Sequence, residues 1–393
     1  MPISRFLLTD CGAGLSHDGF SISHEAELSL AGAREWSVEK KTLRGGVSEG
    51  VELVTIDNGA LTLRVLPTRG MGIWNATLRG LDVGWQSPVA RPVHPAFVPL
   101  DAPHGLGFLR GFNEFVARCG IASNGPPGDD PEGNPLESPL TLHGRIANLP
   151  AHHLELEIDD DGPGTIRLTG IVDDASLFGT NLRLTSTLST RAGSNEFIIR
   201  DVITNRGATP SESQLLYHIN IGPPFLEAGS RFVVPAQEIA PRDARAAEGI
   251  ANWQNCAGPE IGFAEQVYFI DPLADDQGES FALFRNAAGD KGISVHFDKR
   301  ELPCLSLWKN TAALEDGYVI GIEPATNFPN HRRFERTQGR IVNLEPGESH
   351  EMTVRVIVHD RLEGVALFEA LAGETIDAAT CQIHEAPREG WSP

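Results

Sequence analysis

Val51-Glu52-Leu53-Val54-Thr55-Ile56-Asp57 and Leu61-Thr62-Leu63-Arg64-Val65-Leu66 are two runs of alternating apolar and polar residues, joined through Asn58-Gly59. Asn-Gly between alternating runs is the strongest short-range signal of a β-hairpin, because both residues accept the positive φ that a tight turn needs. The same texture recurs downstream. Period-2 runs occupy 165–172, 182–190, 196–204, 214–221, 280–284, 292–297, 318–323, 339–344 and 351–358, with polar turns such as Arg191-Ala192-Gly193-Ser194-Asn195 between them. Short strands at regular intervals, with no βαβ rhythm, predict an all-β chain built as a large antiparallel β-sandwich with few short helices. The helix candidates lie in 23–43, around Glu25-Ala26-Glu27-Leu28-Ser29-Leu30-Ala31-Gly32-Ala33, and in 362–371, where Val365, Leu367, Phe368 and Leu371 could share a face.

One stretch does not alternate. Between Trp85 and Pro139 the chain is rich in proline and glycine, yet it carries Trp85, Phe97, Phe108, Phe112 and Phe115. A long irregular segment with that many aromatics predicts a loop layer folded over something, not a linker. The expected organisation is therefore one sandwich domain over 1–393, with 1–50 as an N-terminal extension packed on it and 361–393 as a C-terminal helix and tail.

Composition narrows the function. A net charge of -21 argues against nucleic acid or an anionic membrane as partner, since both are bound by Lys and Arg clusters. A small neutral ligand suits it better. The five cysteines, Cys11, Cys119, Cys256, Cys304 and Cys381, are scattered and odd in number, which predicts reduced thiols in a cytoplasm. No run of about eighteen apolar residues is present, so no membrane span is expected. Walker, Rossmann, zincin and nucleophile-elbow signatures are absent.

What remains is a set of polar residues at the ends of apolar runs. Tyr318-Val319-Ile320-Gly321-Ile322 delivers Glu323 to Pro324, where the strand is expected to break because proline cannot extend a central ladder. A carboxylate at the end of an apolar run is paired, at the rim, or a tuned acid or base. His218 follows Leu215-Leu216-Tyr217, with Asn220 on its face by the two-residue period. It reads as a core histidine or as a proton carrier. His143 stands in Leu142-His143-Gly144-Arg145, where Gly144 permits close backbone approach and Arg145 is suited to gripping an oxygen-rich ligand or to a structural ion pair. Trp308 and Lys309 close Leu305-Ser306-Leu307 and read as a sugar platform with a cation, or as core and surface. Arg69, beside Gly70 in a turn, orders a pocket or bridges carboxylates.

Taken together these stretches resemble the aldose 1-epimerase (mutarotase) superfamily, in its divergent branch, over roughly 51–360. His143-Gly144 is similar to the family's Leu-His-Gly element, and Tyr217-His218-Ile219-Asn220 to its Asn-His-x-Tyr-x-Asn strand. Gly321-Ile322-Glu323-Pro324 resembles the strand that carries the general base, and Leu344-Glu345-Pro346-Gly347-Glu348 the Leu-x-Pro-Gly-Glu turn after it. The resemblance implies the galactose mutarotase-like supersandwich. Arg145 replaces the family's second glycine, Tyr217 replaces its asparagine, and its substrate-binding aspartate has no counterpart in the quoted motifs.

The chemistry implied is interconversion of sugar anomers by general acid/base catalysis, with no cofactor and no metal. Glu323 is the expected base, His218 the acid, and His143 the group that holds the ring oxygen or a neighbouring hydroxyl. Arg69, Arg145, Asn220, Trp308 and Lys309 are the expected substrate contacts. The partner is a small carbohydrate, and the assembly is left open between monomer and homodimer. A metal-dependent sugar isomerase using the same histidines and glutamate, and a non-catalytic carbohydrate-binding protein, are the competing readings.

Overall fold

The computed structural model describes residues 3–24, 30, 35–160, 164–375 and 381–393. Among them the strands form a 10-stranded and a 14-stranded sheet. Pairing is antiparallel, apart from Gln382–Ile383, which lies parallel to Ala236–Pro241. Three α-helices accompany the described strands: Ala244–Ala247, Arg332–Thr337 and Leu362–Thr375. No helix among the described residues is long and apolar enough to cross a membrane.

The 10-stranded sheet shows what the alternating runs predict. In Thr165–Ala175 and Asn181–Arg191 every second residue is buried and the others face outward, so one face packs and the other meets water. The inward residues of both sheets, among them Leu168, Leu184, Ile199, Ile219, Leu305 and Ile322, form one large apolar core between them. The hairpin is present as Glu52–Asp57 and Leu61–Leu66. Gly59 has φ 93° and the Asn58 side chain accepts the N–H groups of Ala60 and Leu61.

In the 14-stranded sheet the alternation fails where Ser211–Ile221 and Val319–Ala325 lie side by side. Every residue from Ser213 to Ile221, and all of Val319–Ala325, is buried. Their second face is covered by the proline- and glycine-rich segment, whose Phe108 and Phe112 form a separate apolar cluster with Ala117, Cys119, Leu216 and Ala325. The irregular segment is a lid layer on the outer face of the sheet, as its aromatic content predicts.

Three expectations need correction. Pro324 does not end its strand, which runs on to Ala325. Toward Ser211–Ile221 the ladder pairs Leu216 with Ala325 and Ile219 with Ile322 and skips the two steps between, where proline has no N–H to give. Toward Cys304–Asn310 pairing continues through Leu305 with Pro324 and Ser306 with Glu323. The run at 339–344 is a strand only over Val342–Leu344, because the helix Arg332–Thr337 precedes it. Of the early helix candidate, Ser37–Thr42 is a strand and Leu30 is buried in a non-helical position. The rest of Glu25 to Ala33 lies outside the described residues. The C-terminal helix is present and longer than expected, but only Val365 of the four apolar positions is fully buried, and Leu367 is exposed.

The two sheets are also tied by charge. Arg118, in Val116–Ile121, is buried and forks onto Asp201 of Glu196–Asn205 in the other sheet. It also donates to Ser186 Oγ and to the carbonyl of Met71. Tyr217 donates its hydroxyl to the same Asp201 carboxylate at 3.0 Å. Removing one member of a buried, hydrogen-bonded pair leaves an uncompensated charge, so Asp201→Asn is expected to cost roughly 3–5 kcal/mol. Chemical denaturation of the two proteins side by side measures it, and a loss below about 1 kcal/mol would show that the clamp does not hold the sheets.

Candidate active site

Strand register places the central pair. Because Leu216 faces Ala325 and Ile219 faces Ile322, His218 lies opposite Glu323, and their side chains emerge on the lid-covered face. His218 Nε2 stands 3.2 Å from Glu323 Oε1. No hydrogen bond joins the two in this structure, and Glu323 Oε1 and His218 Nδ1 are both enclosed without a partner. Gly321 makes the closeness feasible: a Cβ there would stand 2.8 Å from Glu323 Oε1 and 3.1 Å from His218 Cε1.

The chain just beyond the lid segment contributes the third member. His143 adopts φ 60° before Gly144, where a Cβ would come within 2.3 Å of the Ser123 carbonyl oxygen. His143 Nδ1 lies 2.8 Å from the carbonyl oxygen of Asn124. A carbonyl only accepts, so Nδ1 carries the proton and Nε2 is left as an acceptor. The two imidazoles lie 5.7 Å apart, centre to centre. Phe112 and Trp308 pack on His218 at 4.9 and 5.2 Å, and Phe108 packs on His143 at 5.0 Å.

Burial sets the charge states. Glu323 is 3% exposed. Desolvation raises its pKa to about 8, with the Glu265 charge adding to the rise and Arg242 opposing it. His218 is lowered to about 3, first by burial and then by His143, against a contribution from Asn220 that favours the charged ring. His143 is lowered as well, again chiefly by burial. Between those limits the pair is neutral and holds one proton, which sits on the carboxyl. The fact that ordinary values would put an ion pair here shows how strongly the enclosure acts.

Not every expected contact reaches this cluster. Trp308 does, half-buried, with its indole N–H on Glu265 Oε2 at 2.7 Å. Lys309 does not: neighbours in a strand point to opposite faces, and its ammonium donates to the carbonyls of Trp253 and Asn255. Arg69 is buried and committed to Glu114, Asn148 and the Gly111 carbonyl. Arg145 pairs with Asp174 of the 10-stranded sheet. Asn220 lies beside His218 but donates to the carbonyls of Glu114 and His218, fully buried. These four therefore brace the site's surroundings.

Sequence reading missed Glu265, Arg242, Phe108 and Phe112. Arg242 Nη2 and Trp308 Nε1 both donate to Glu265, which makes it the junction of the rim. The aromatic content of the lid was the only signal for the two phenylalanines; nothing local marked Glu265. Among the described residues no three His, Cys, Asp or Glu side chains converge as a metal ion would require.

Comparison with known proteins gives a consistent picture. Residues 48–358 match the family described as domain of unknown function (DUF4432). A "putative aldose 1-epimerase" from Klebsiella pneumoniae superposes with a TM-score of 0.93 at 36% identity, over 98% of this chain and 99% of that one. A galactose mutarotase-like protein from Clostridium acetobutylicum superposes at 0.56 with 14% identity, over 82% of this chain and 98% of that one. A galactose 1-epimerase from Lactobacillus acidophilus superposes at 0.52 with 13% identity and the same coverage. The last two likenesses are likenesses of fold. No functionally curated protein matches the chain.

The shifted carboxyl makes a prediction about stability. Above about pH 4.5 an unfolded Glu323 loses its proton while the folded one keeps it up to about pH 8, so this residue's contribution to stability falls as pH rises through that interval. Glu323→Gln removes the effect. Its Tm relative to the native protein is expected to rise steadily from about pH 5 to about pH 8; a difference that does not change with pH would mean that the carboxyl titrates normally.

Proposed function

The chain belongs to the DUF4432 family and, with it, to the aldose 1-epimerase (galactose mutarotase-like) superfamily, and from that membership we propose that it interconverts the anomers of an aldose or aldose derivative. The observation that carries the reading is the enclosed, one-proton pair of Glu323 and His218 beneath the lid.

Anomer exchange needs a proton taken from the C1 hydroxyl and another given to the ring oxygen, after which the C1–C2 bond turns and the ring closes on its other face. Glu323 serves as the base and His218 as the acid. Once the carboxyl turns its proton toward His218 Nε2, 3.2 Å away at rest, transfer of that shared proton converts the neutral pair into the working carboxylate and imidazolium. Both tautomers hold the same number of protons, so the rate follows the pair's proton count and not the label on either residue. Ring closure runs the same transfers backward and leaves the pair as it began. Each positioned transfer contributes about 10²- to 10⁴-fold.

His143, fixed by Asn124 with Nε2 as acceptor, receives a hydroxyl hydrogen from the sugar. Trp308 offers an indole face to the ring, and Glu265 at the rim accepts from hydroxyls near its mouth. Arg242, the cation nearest Glu265, is already paired with Glu265 and Asp243, which supports an uncharged substrate. All five cysteines are free thiols, which supports a reducing cytoplasm.

Saturation-transfer NMR or polarimetry on a panel of freshly dissolved aldoses tests the proposal. One or more sugars should exchange anomers faster with protein than without. Binding without acceleration would reduce the protein to a carbohydrate-binding module. Glu323→Gln and His218→Asn are each expected to lower kcat by about 10²-fold or more while sugar binding stays measurable. For the native protein, kcat should hold level across neutral pH and decline above about pH 8, as the pair loses its shared proton.

A further inference from the structure

Ser306 shares a cross-strand row with Glu323. The two are directly paired residues on adjacent antiparallel strands, so their side chains stand side by side on the lid-covered face, with His218 on the other flank of Glu323. Ser306 is 1% exposed. Its Oγ is enclosed and has no hydrogen-bond partner, and the same is true of Glu323 Oε1 beside it.

Two enclosed, unpartnered oxygens on neighbouring side chains need an account, because buried polar atoms are overwhelmingly paired. Apolar neighbours surround the serine: Phe269 is its partner on the far strand, and Cys304 and Trp308 are its neighbours on the same face. An alanine would pack equally well there. A hydroxyl rotates freely and can donate, and the nearest group that gains most from a donor is a carboxylate.

Resting on the epimerase reading above, we propose that Ser306 is a positioning residue for Glu323: its hydroxyl, idle beside the neutral pair, turns to donate to the Glu323 carboxylate once the proton has moved to His218. Ser306 thereby favours the working tautomer over the resting one and holds the carboxylate in one orientation toward the sugar. The other groups acting on Glu323 are His218 on the neighbouring strand, Glu265 and Arg242 at the rim, and the Cys119 thiol on Val116–Ile121. Among the described residues none of these donates a hydrogen bond to Glu323 in the resting structure.

Ser306→Ala, with Ser306→Thr as the conservative partner, tests this. The alanine variant is expected to lose about tenfold in kcat at neutral pH with KM nearly unchanged, and its alkaline decline should move up by about one pH unit, because an ionised Glu323 has lost its donor. Threonine should restore both. An alanine variant with a native kcat and an unmoved alkaline limb overturns the proposal, as does one whose loss falls on KM alone. A readout without turnover keeps the two readings separate. The pH at which the stability difference from Glu323→Gln levels off should rise in the Ser306→Ala background by a similar amount. If that shift appears while no sugar exchanges anomers, Ser306 positions Glu323 and the epimerase reading falls; if turnover is present and the shift is absent, the epimerase reading stands and Ser306 is only packing.

Discussion

The Arg118–Asp201 clamp, with Tyr217 on the same carboxylate, is the interaction on which the rest of the structure depends. Apolar packing brings two sheets together but does not by itself choose how far one slides over the other. A forked guanidinium does, because it demands its carboxylate at one distance and one angle. The clamp lies directly behind the site: Tyr217 precedes His218, and Arg118 pairs with Tyr217 across the strands. His218 faces outward because Tyr217 is held inward. The position of the imidazole is thus set from the opposite face of its own sheet, through the alternation of a β-strand.

A second buried pair does the same for the lid. Arg69 holds Glu114, and the backbone carbonyl of Glu114 receives both the Trp85 indole and the Asn220 amide. Trp85 packs on Phe112, and Phe112 on His218. The lid is therefore an ordered wall. Its consequence is electrostatic: by keeping water from Glu323 and His218 it moves the carboxyl up and the imidazole down until neither carries charge at rest.

The sheets were legible in the sequence because side-chain alternation is a local property, and most of the predicted runs fall within observed strands. The meeting of His143, His218 and Glu323 was legible through the family resemblance and through their placement at the ends of apolar runs. The supporting contacts were not. Arg69 and Arg145 look like ligand contacts until their carboxylates, Glu114 and Asp174, arrive from 45 and 29 residues away. Lys309 was readable and misread: a strand cannot aim two consecutive side chains into one hollow, and Trp308 had already taken that direction. Pro324 misled for the opposite reason, since a two-step gap in one ladder accommodates a proline that the rule for central strands would exclude.

Pairing between strands, not loop conformation, decides where Glu323 and His218 meet. The distance that matters for proton transfer is counted in residues along two ladders, whereas the surfaces that would meet the substituents of a sugar come from the irregular segments above them. Such a division lets the outer parts of the covering segments change, so long as Phe108 and Phe112 keep their places against His143 and His218. On the epimerase reading, selectivity among sugars then belongs to the outer loops, and the Glu323–His218 pair is left to the strands.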